Sequence, residues 1–384
     1  MTDSACLAIR RLTLTEFRNY AALRIDAPVR LVALTGANGG GKTNVLEAIS
    51  VLAPGRGLRG APFEDLARQN GPGSWAIAAE LDTAHGPVSL GTGWSGQSEA
   101  GDGGGRLVVI DGEVQKGSAA LGDYMRLLWL TPAQDRLFAG PASDRRRFLD
   151  RMVAAFDPEH ASRVLVFEKV MRERNLLLEE QRPDAAWLTS LEAHMAEAAV
   201  AISAARLVGM EALQTHIAEG RGASSFPWAE VSIEGEIEAL VAEKPAVQVE
   251  DEYRRILRDS RGLDRAAGRT LRGPHRSDLD VAHGPKGMPA GQCSTGEQKA
   301  LLIGLVLAQA RAVKAGAGVA PILLLDEVAA HLDRARRKSL LEALSALGSQ
   351  SWMTGTDAQL FEGMDHQGIV FHVEGGLVRE VMED

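Results

Sequence analysis

The sequence predicts an α/β fold whose two halves are separated by a helical insertion. Short apolar runs of strand length occur near both ends of the chain, at residues 31–35 and 322–325. Between them, at 143–265, charged and apolar residues recur largely at helical spacing. We therefore expect a head built from residues 1–142 and 266–384, with an inserted helical arm between them.

The composition is that of a globular protein in a reducing compartment. Of 384 residues, 45% are hydrophobic, enough to bury a sizeable core. The two cysteines, Cys6 and Cys293, form neither a metal cluster nor a disulfide framework, which favours the cytoplasm. No targeting segment is visible. The best membrane candidate, residues 300–310, is too short and contains Gln309, so we expect a buried helix and no membrane.

The first elements form the context of a phosphate-binding loop. Residues 7–14 alternate weakly, the strand at 31–35 ends at Gly36, and residues 45–53 have helical spacing. The connecting run, Gly36-Ala37-Asn38-Gly39-Gly40-Gly41-Lys42-Thr43, satisfies G-x-x-x-x-G-K-[ST]. Its backbone N–H groups and the following helix N-terminus would hold the phosphates of ATP.

Individual residues of this loop have expected roles toward ATP and Mg²⁺. Lys42 should reach the β- and γ-phosphates and contribute to catalysis, and the Thr43 hydroxyl should ligate Mg²⁺. The predicted nucleotide-binding residues of this region are Gly36, Asn38, Gly39, Gly41, Lys42, Thr43 and Asn44.

The middle of the chain changes from strands to helices. Residues 71–115 predict a small antiparallel sheet with turns at Asp102-Gly103 and Asp111-Gly112, and residues 127–130 predict another strand. In the insertion, the helical segments are residues 143–181, 184–219 and 250–267, with Pro183 in the first connection and a less regular stretch at 220–245. An antiparallel helix pair is therefore expected.

The α/β pattern returns after the insertion. The predicted elements are a helix at 300–313, a strand at 322–325, a helix at 334–347, a strand at 351–354 and a hairpin around Glu374-Gly375-Gly376. Asp326 and Glu327 end the buried strand. Asp326 can hold the metal directly or through water, and Glu327 can orient and deprotonate the attacking water.

Three further segments resemble the ABC-type ATPase superfamily. Ser294-Thr295-Gly296-Glu297-Gln298 resembles its signature motif, and the segment from Asp326 to Asp333 resembles its Walker B and D-loop. Gln134 is placed like the Q-loop glutamine, although a loop glutamine without that role is the alternative. The resemblance implies that Ser294, Gly296, Glu297 and Asp333 meet the ATP of a second subunit, and that Gln134 is catalytic. Thr356 stands where transporters carry a switch histidine, which argues against a transporter subunit.

A narrower resemblance is to the RecF family of bacterial recombination mediators. The matching segments are Glu16-Phe17-Arg18-Asn19-Tyr20, Gly41-Lys42-Thr43-Asn44-Val45-Leu46-Glu47-Ala48-Ile49, Gly55-Arg56, Arg145-Arg146-Arg147-Phe148-Leu149-Asp150 and Thr270-Leu271-Arg272-Gly273-Pro274-His275-Arg276-Ser277-Asp278. Two positions depart from the family, Ser277 where it has Asp and Ala37 where it has Glu. Neither is an expected phosphate or metal ligand.

This resemblance implies an ATP-dependent DNA-binding protein with a weak, DNA-stimulated ATPase. It implies an ATP-dependent homodimer acting in DNA repair, replication, recombination and the SOS response. The implied partners are single- and double-stranded DNA at gapped junctions and RecR- and RecO-like mediators, which together place RecA on single strands. The alternatives are an ABC transporter ATPase subunit and a non-hydrolysing, ATP-gated scaffold.

The arginines are the candidate DNA contacts of a chain whose net charge is −9. Eight lie between residues 254 and 276, and further clusters occupy residues 145–151 and 334–338. For any one cluster alone, a solvated helix face is the favoured interpretation. His275 and Arg276 are either a buried structural pair or part of a loop that couples the ATP site to DNA or to the dimer interface.

Overall fold

The computed structural model describes residues 7–96, 105–222, 225–330, 332–364 and 368–381. The strands are β1 (Ala8–Phe17), β2 (Tyr20–Asp26), β3 (Leu31–Thr35), β4 (Trp75–Thr83), β5 (Gly86–Trp94), β6 (Leu107–Ile110), β7 (Glu113–Val114), β8 (Leu127–Leu130), β9 (Ala229–Glu234), β10 (Asp278–His283), β11 (Met288–Pro289), β12 (Ile322–Leu325), β13 (Ser351–Thr354), β14 (Gly368–Glu374) and β15 (Leu377–Glu380). The helices are α1 (Lys42–Val51), α2 (Ala142–Ala154), α3 (His160–Glu179), α4 (Ala185–Glu219), α5 (Glu236–Glu243), α6 (Ala246–Ala267), α7 (Thr295–Ala317) and α8 (Arg334–Leu347). The predicted α/β class is confirmed. Cys6 and the turn predicted at Asp102-Gly103 lie outside the described residues.

The chain forms two compact units. The first comprises Met1–Asp135, Gly220–Pro227 and Thr295–Asp384, and the second comprises Arg136–Glu219 and Trp228–Ser294. The domain borders predicted at residues 142 and 265 stay a prediction.

A six-stranded sheet in the first unit has the order β15-β14-β3-β13-β12-β8. All of its strands except β15 run parallel to their neighbours. Because the carboxyl ends of parallel strands share one edge of a sheet, the segments following β3, β8, β12 and β13 begin at the same edge. This brings together the glycine loop and the acidic pair from opposite ends of the sequence.

A second sheet in this unit is antiparallel, in the order β2-β1-β4-β5-β6-β7. Its inward side chains, including Leu12 and Leu14, share a hydrophobic core with Val45 and Ile49 of α1. The predicted turn at Asp111-Gly112 joins β6 to β7, and both residues have positive φ angles, as a tight hairpin requires. The helix that carries Lys42 is thus held on a rigid support.

Helix α7 is longer than the sequence analysis indicated. The membrane candidate at 300–310 was judged too short, but the helix spans Thr295–Ala317 and is long and apolar enough to cross a membrane by length and composition alone. Its most apolar 18-residue window is 67% buried, which is typical of a core helix in a soluble protein.

The second unit contains α2 to α6 and a three-stranded sheet of order β11-β10-β9. The continuous helical pattern predicted for 143–181 is wrong in one respect, because α2 and α3 are separated by a break that contains Pro158. Pro183 lies between α3 and α4, as predicted. The irregular stretch at 220–245 contains β9 and α5, and β9 pairs with β10.

Candidate active site

The glycine loop lies between β3 and α1 in a conformation that only glycine permits. Gly36 has a φ of 134°, and a Cβ built on it would lie 2.3 Å from the carbonyl oxygen of Val373. A Cβ on Gly40 would lie 2.9 Å from the same oxygen. The loop backbone is therefore packed against β14, which leaves its other side without side chains that would block a phosphate group.

Lys42 is folded over this loop. Its Nζ donates to the carbonyl oxygens of Gly36, at 2.6 Å, and Ala37, at 2.8 Å, and the side chain is buried. Burial lowers the pKa of Lys42, while the charges of Glu327 and Asp326 act in the opposite direction. The loop thus carries a positive charge held by backbone oxygens beside two carboxylates.

A hydrogen-bonded cluster joins the loop to the acidic strand end. The Thr43 hydroxyl donates to Asp326, with its Oγ1 2.9 Å from Oδ1 and 3.1 Å from Oδ2. The Thr354 hydroxyl, at the end of β13, donates to the same Oδ1 at 2.7 Å. Residues 283 positions apart in sequence, Thr43 and Asp326, therefore place a hydroxyl and a carboxylate side by side.

Glu327 is held through its backbone. Its N–H donates to the Thr354 hydroxyl at 2.8 Å, and its carbonyl accepts from Lys299 Nζ at 3.1 Å. It also has a φ of 50°, an unfavourable conformation for a residue with a side chain. Such strain persists only where surrounding contacts enforce it, and it is concentrated at functional sites.

Gln134 follows β8 and is buried. Its Oε1 accepts from the Thr131 N–H at 2.9 Å, and its Nε2 is buried without a hydrogen-bond partner among the described residues. Next to it, Asp135 lies 3.5 Å from Nζ of Lys299. The structure therefore fixes the glutamine carbonyl and leaves its amide donor unused.

The segment before the loop supports α1 from the side. Glu47 is fully buried and accepts two hydrogen bonds from Arg18 and one from Arg59. The Asn19 amide donates to the Gly40 carbonyl at 3.3 Å. These contacts give the Glu16-Phe17-Arg18-Asn19-Tyr20 motif a structural role, because a buried carboxylate is stable only when it is paired.

The remaining predicted site residues occupy varied positions. Asn38 and Gly39 are exposed at the loop tip, while the Asn44 side chain is bonded to Asn19 and Arg59. Ser294 is exposed directly before α7, and Gly296 and Glu297 lie in its first turn. Asp333 caps α8 by accepting from the N–H of Arg336 at 2.8 Å. The roles of Ser294, Gly296, Glu297 and Asp333 toward a second subunit stay a prediction.

Two residues of the cluster, Thr354 and Lys299, were not predicted from the sequence. Thr354 is the last residue of a strand adjacent to β12, and a hydroxyl at that position was the available signal. Lys299 directly follows the signature-like motif. Neither could be assigned to Glu327, because the Thr354 contact depends on strand order and the Lys299 contact on the packing of α7.

The comparisons with known proteins agree over nearly the whole chain. The family described as "RecF/RecN/SMC N terminal domain" matches residues 8–379. The chain is 52% identical to the DNA replication and repair protein RecF of Mesorhizobium japonicum over 371 residues, 96% of this chain and 97% of that protein. It is 51% identical to RecF of Brucella suis biovar 1, over 96% of this chain and 95% of that protein.

Solved structures confirm the predicted fold, an ABC-type P-loop ATPase head. A structure of the recombination mediator RecF-ATPrS in the RecFOR pathway is similar with a TM-score of 0.86 at 22% identity, over 99% of this chain and all of that one. The Smc head domain of Pyrococcus furiosus, with an extended coiled coil, is similar with a TM-score of 0.54 at 16% identity, over 98% of this chain and 96% of that one. The chain therefore belongs to the RecF family of DNA replication and repair proteins, within the wider RecF/RecN/SMC group.

Proposed function

We propose that the chain is an ATP-dependent DNA-binding protein of recombinational repair that hydrolyses ATP slowly and dimerises when ATP is bound. The observation that carries the proposal is the contact between Thr43 and Asp326, which completes one phosphoryl-transfer site from the two ends of the chain. The curated relatives named DNA replication and repair protein RecF support the DNA-repair role.

The residues present fit ATP and Mg²⁺. The glycine loop offers backbone donors to phosphates, with Lys42 beside them. The Thr43 hydroxyl and the Asp326 carboxylate are oxygen ligands of the kind that Mg²⁺ takes when it bridges to nucleotide phosphates. Their 2.9 Å hydrogen bond would be replaced by shared coordination of the ion.

The catalytic roles follow from how each side chain is held. When bound, Mg²⁺ neutralises charge on the transferred phosphoryl group. Lys42 adds a second positive charge on leaving its carbonyl partners, and Glu327 accepts a proton from the attacking water. The amide N–H groups of Gln134, which have no other partner among the described residues, are available to donate a hydrogen bond to that water. The hydroxyl of Thr354 positions Asp326 and Glu327 together.

A second copy of the chain would complete the site. Ser294, Gly296 and Glu297 lie at the N-terminus of α7, and the N-terminal end of a helix favours a phosphate. In the proposed homodimer these residues and Asp333 meet the ATP bound by the partner copy. Lys299, on the same helix, would connect that contact to the Glu327 carbonyl within one chain.

Fewer arginines are candidates for DNA contact than the clusters in the sequence indicate. Arg254 is paired with Glu250 and Asp251, and Arg261 makes two hydrogen bonds to Glu192. Arg255 and Arg258 are exposed, three residues apart on one face of α6. We assign the phosphate contacts of α6 to this second pair.

Arg145 donates two hydrogen bonds to Asp278, which removes it from the candidate DNA contacts.

The proposed wider setting is gapped DNA, with RecR- and RecO-like mediators and the loading of RecA. A similar solved protein is described in the RecFOR pathway, which supports this proposal.

Sedimentation of the full chain with ATP, with ADP and without nucleotide tests the proposal. We expect a dimer with ATP alone, and a monomer under every condition for Lys42→Ala, which loses the charge beside the phosphates. A parent chain that remains monomeric with ATP contradicts the mechanism. Phosphate release with and without DNA separates the ATPase from a non-hydrolysing scaffold, because the scaffold would release none.

A further inference from the structure

Two sequence motifs not explained by the ATP site meet in the second unit. The motif Arg145-Arg146-Arg147-Phe148-Leu149-Asp150 lies on α2, and Pro274-His275 lies just before β10. Together with α3 and α4 they line a cavity of about 160 Å³, large enough for several waters or one phosphate group. Its lining residues are Ser143, Arg146, Arg147, Asp150, Val164, Phe167, Glu168, Ile202, Arg206, Pro274 and His275.

Two arginines of this cavity lining, Arg206 and Arg146, differ in how many hydrogen bonds they make. Arg206 donates four hydrogen bonds: two to the oxygens of Asp150, one to Glu238 and one to the Pro274 carbonyl. Arg146 makes one hydrogen bond, to the carbonyl oxygen of Ser277 at 2.9 Å. Burial lowers the pKa of Arg146, the charges of Arg206 and Arg276 lower it further, and those of Asp278 and Asp150 act in the opposite direction. Arg146 therefore has guanidinium donors to spare, and Glu168 is an exposed carboxylate in the same lining.

His275 also lines the cavity. Its Nε2 donates to the Thr270 carbonyl at 3.0 Å, so the other ring nitrogen, Nδ1, carries a lone pair in the neutral ring. That Nδ1 is buried without a hydrogen-bond partner among the described residues. Burial lowers the pKa of His275, with further lowering by Arg276 and Arg146, opposed by the bond to Thr270. Arg147 makes one hydrogen bond, to Asp144 at 2.8 Å, so most of its guanidinium donors remain. The lining therefore combines remaining donors of Arg146 and Arg147 with the ring of His275.

We propose that this cavity is a phosphate subsite, independent of the glycine loop, that takes the terminal phosphate of a nucleic acid strand or free inorganic phosphate. Arginine suits such a ligand because its planar donors pair with two phosphate oxygens at once. The walls formed by Phe167, Val164 and Ile202 restrict the space to a small group. Water filling the cavity is the competing occupant.

Calorimetric titration with inorganic phosphate tests the subsite. The full chain is first saturated with a non-hydrolysable ATP analogue, so that the glycine loop is occupied, and sodium chloride of equal ionic strength is the blank. We expect binding in the parent and a loss on the order of tenfold in Arg146→Ala and Arg147→Ala, since each removes a charge-assisted hydrogen bond to the ligand. Arg255→Ala, which removes the same charge from α6, should bind phosphate like the parent.

The exposed position of Arg147 keeps the test valid if Arg146→Ala does not fold. The subsite is overturned if the parent does not bind phosphate. It is also overturned if Arg147→Ala and every folded Arg146 variant bind phosphate as tightly as the parent. In either case water is the occupant of the cavity.

Gapped duplexes with a 5′-phosphate or a 5′-hydroxyl identify the source of the phosphate. This second arm rests on the proposed DNA binding. A preference for the 5′-phosphate that disappears in Arg147→Ala, but persists in Arg182→Ala, an exposed arginine outside the cavity lining, supports a DNA end in the subsite. Equal binding of both duplexes, with inorganic phosphate still bound, restricts the ligand to free phosphate. If neither duplex binds with ATP present, the proposed function fails while the subsite stands on the calorimetry.

Discussion

The Thr354 hydroxyl occupies a position where one oxygen serves two acidic residues. It accepts from the N–H of Glu327 and donates to Asp326, and it is completely buried. Because both partners are fixed by the same atom, a change there should alter the geometry of the proposed metal ligand, Asp326, and of the proposed general base, Glu327, together. We regard Thr354 as a positioning residue for hydrolysis.

Thr354→Val, which keeps the shape and removes the hydroxyl, should lower ATP turnover by roughly ten- to a hundredfold, as expected when a buried charged group is deprived of its hydrogen bonds. ATP affinity should change much less, because the glycine loop is untouched. Steady-state kinetics and equilibrium nucleotide binding measure the two effects separately. Thr354→Ser should recover most of the turnover, and a valine variant as active as the parent contradicts the role.

Glu327→Gln should bind ATP and still dimerise, while hydrolysis falls by about a hundredfold or more, since a general base contributes roughly 10²–10⁴-fold. The amide is nearly the same shape as the carboxylate but cannot take a proton from water. Single-turnover phosphate release measures hydrolysis, and sedimentation with ATP measures dimerisation. Hydrolysis at the parental rate would show that another group is the base.

At the scale of elements, α7 connects the signature-like motif with the active site of the same chain. Its first turn carries Gly296 and Glu297, and Lys299 in the next turn contacts the Glu327 carbonyl and Asp135. A displacement of the helix N-terminus would therefore reach the backbone of the proposed base directly.

Ser294→Arg should prevent ATP-dependent dimerisation while the monomer still binds ATP. The residue is exposed before α7, so a large cation there would fill the space in which the partner's phosphate must dock. Sedimentation and nucleotide binding measure the two properties, and Ser294→Ala is the matched control that adds no bulk. Normal dimer formation by the arginine variant would show that Ser294 lies away from a shared site.

From sequence patterns, helices and strands could be predicted more accurately than the contacts between them. The run at 322–325 gave β12 its observed bounds, because a four-residue apolar strand followed by two acids is a strong local signal. Strand β9 was not predicted within 220–245, although Ala229–Glu234 alternates apolar and polar residues. The strand has only six residues, and it pairs with β10, more than forty residues later in sequence. Glu327, Lys42 and Thr43 could be proposed from motifs. The contact of Thr354 depends on which strands are neighbours, and that of Lys299 on where α7 packs.

At the scale of the whole molecule, an acidic chain can bind DNA only through a locally assembled basic surface. Charge reversal of Arg255 and Arg258 to glutamate should weaken ATP-dependent DNA binding. The log–log salt slope should fall by roughly 0.9 for each duplex phosphate that the variant no longer neutralises. Arg254→Glu, at an arginine already paired within α6, is the matched control and should have a smaller effect. Parental affinity and slope in the double variant, with dimerisation intact, would exclude α6.

The position of β3 also determines when the head can be completed during protein synthesis. This strand is made early, yet both of its neighbours in the sheet, β13 and β14, come from the end of the chain. Thr35 and its hydrogen-bond partner Phe371 are 336 residues apart, a distance that a ribosome covers in roughly 17 to 67 s at about 5–20 residues per second. Throughout that interval the buried strand β3 lacks both of its strand partners, so we expect the nascent chain to require chaperone protection until the last strands emerge.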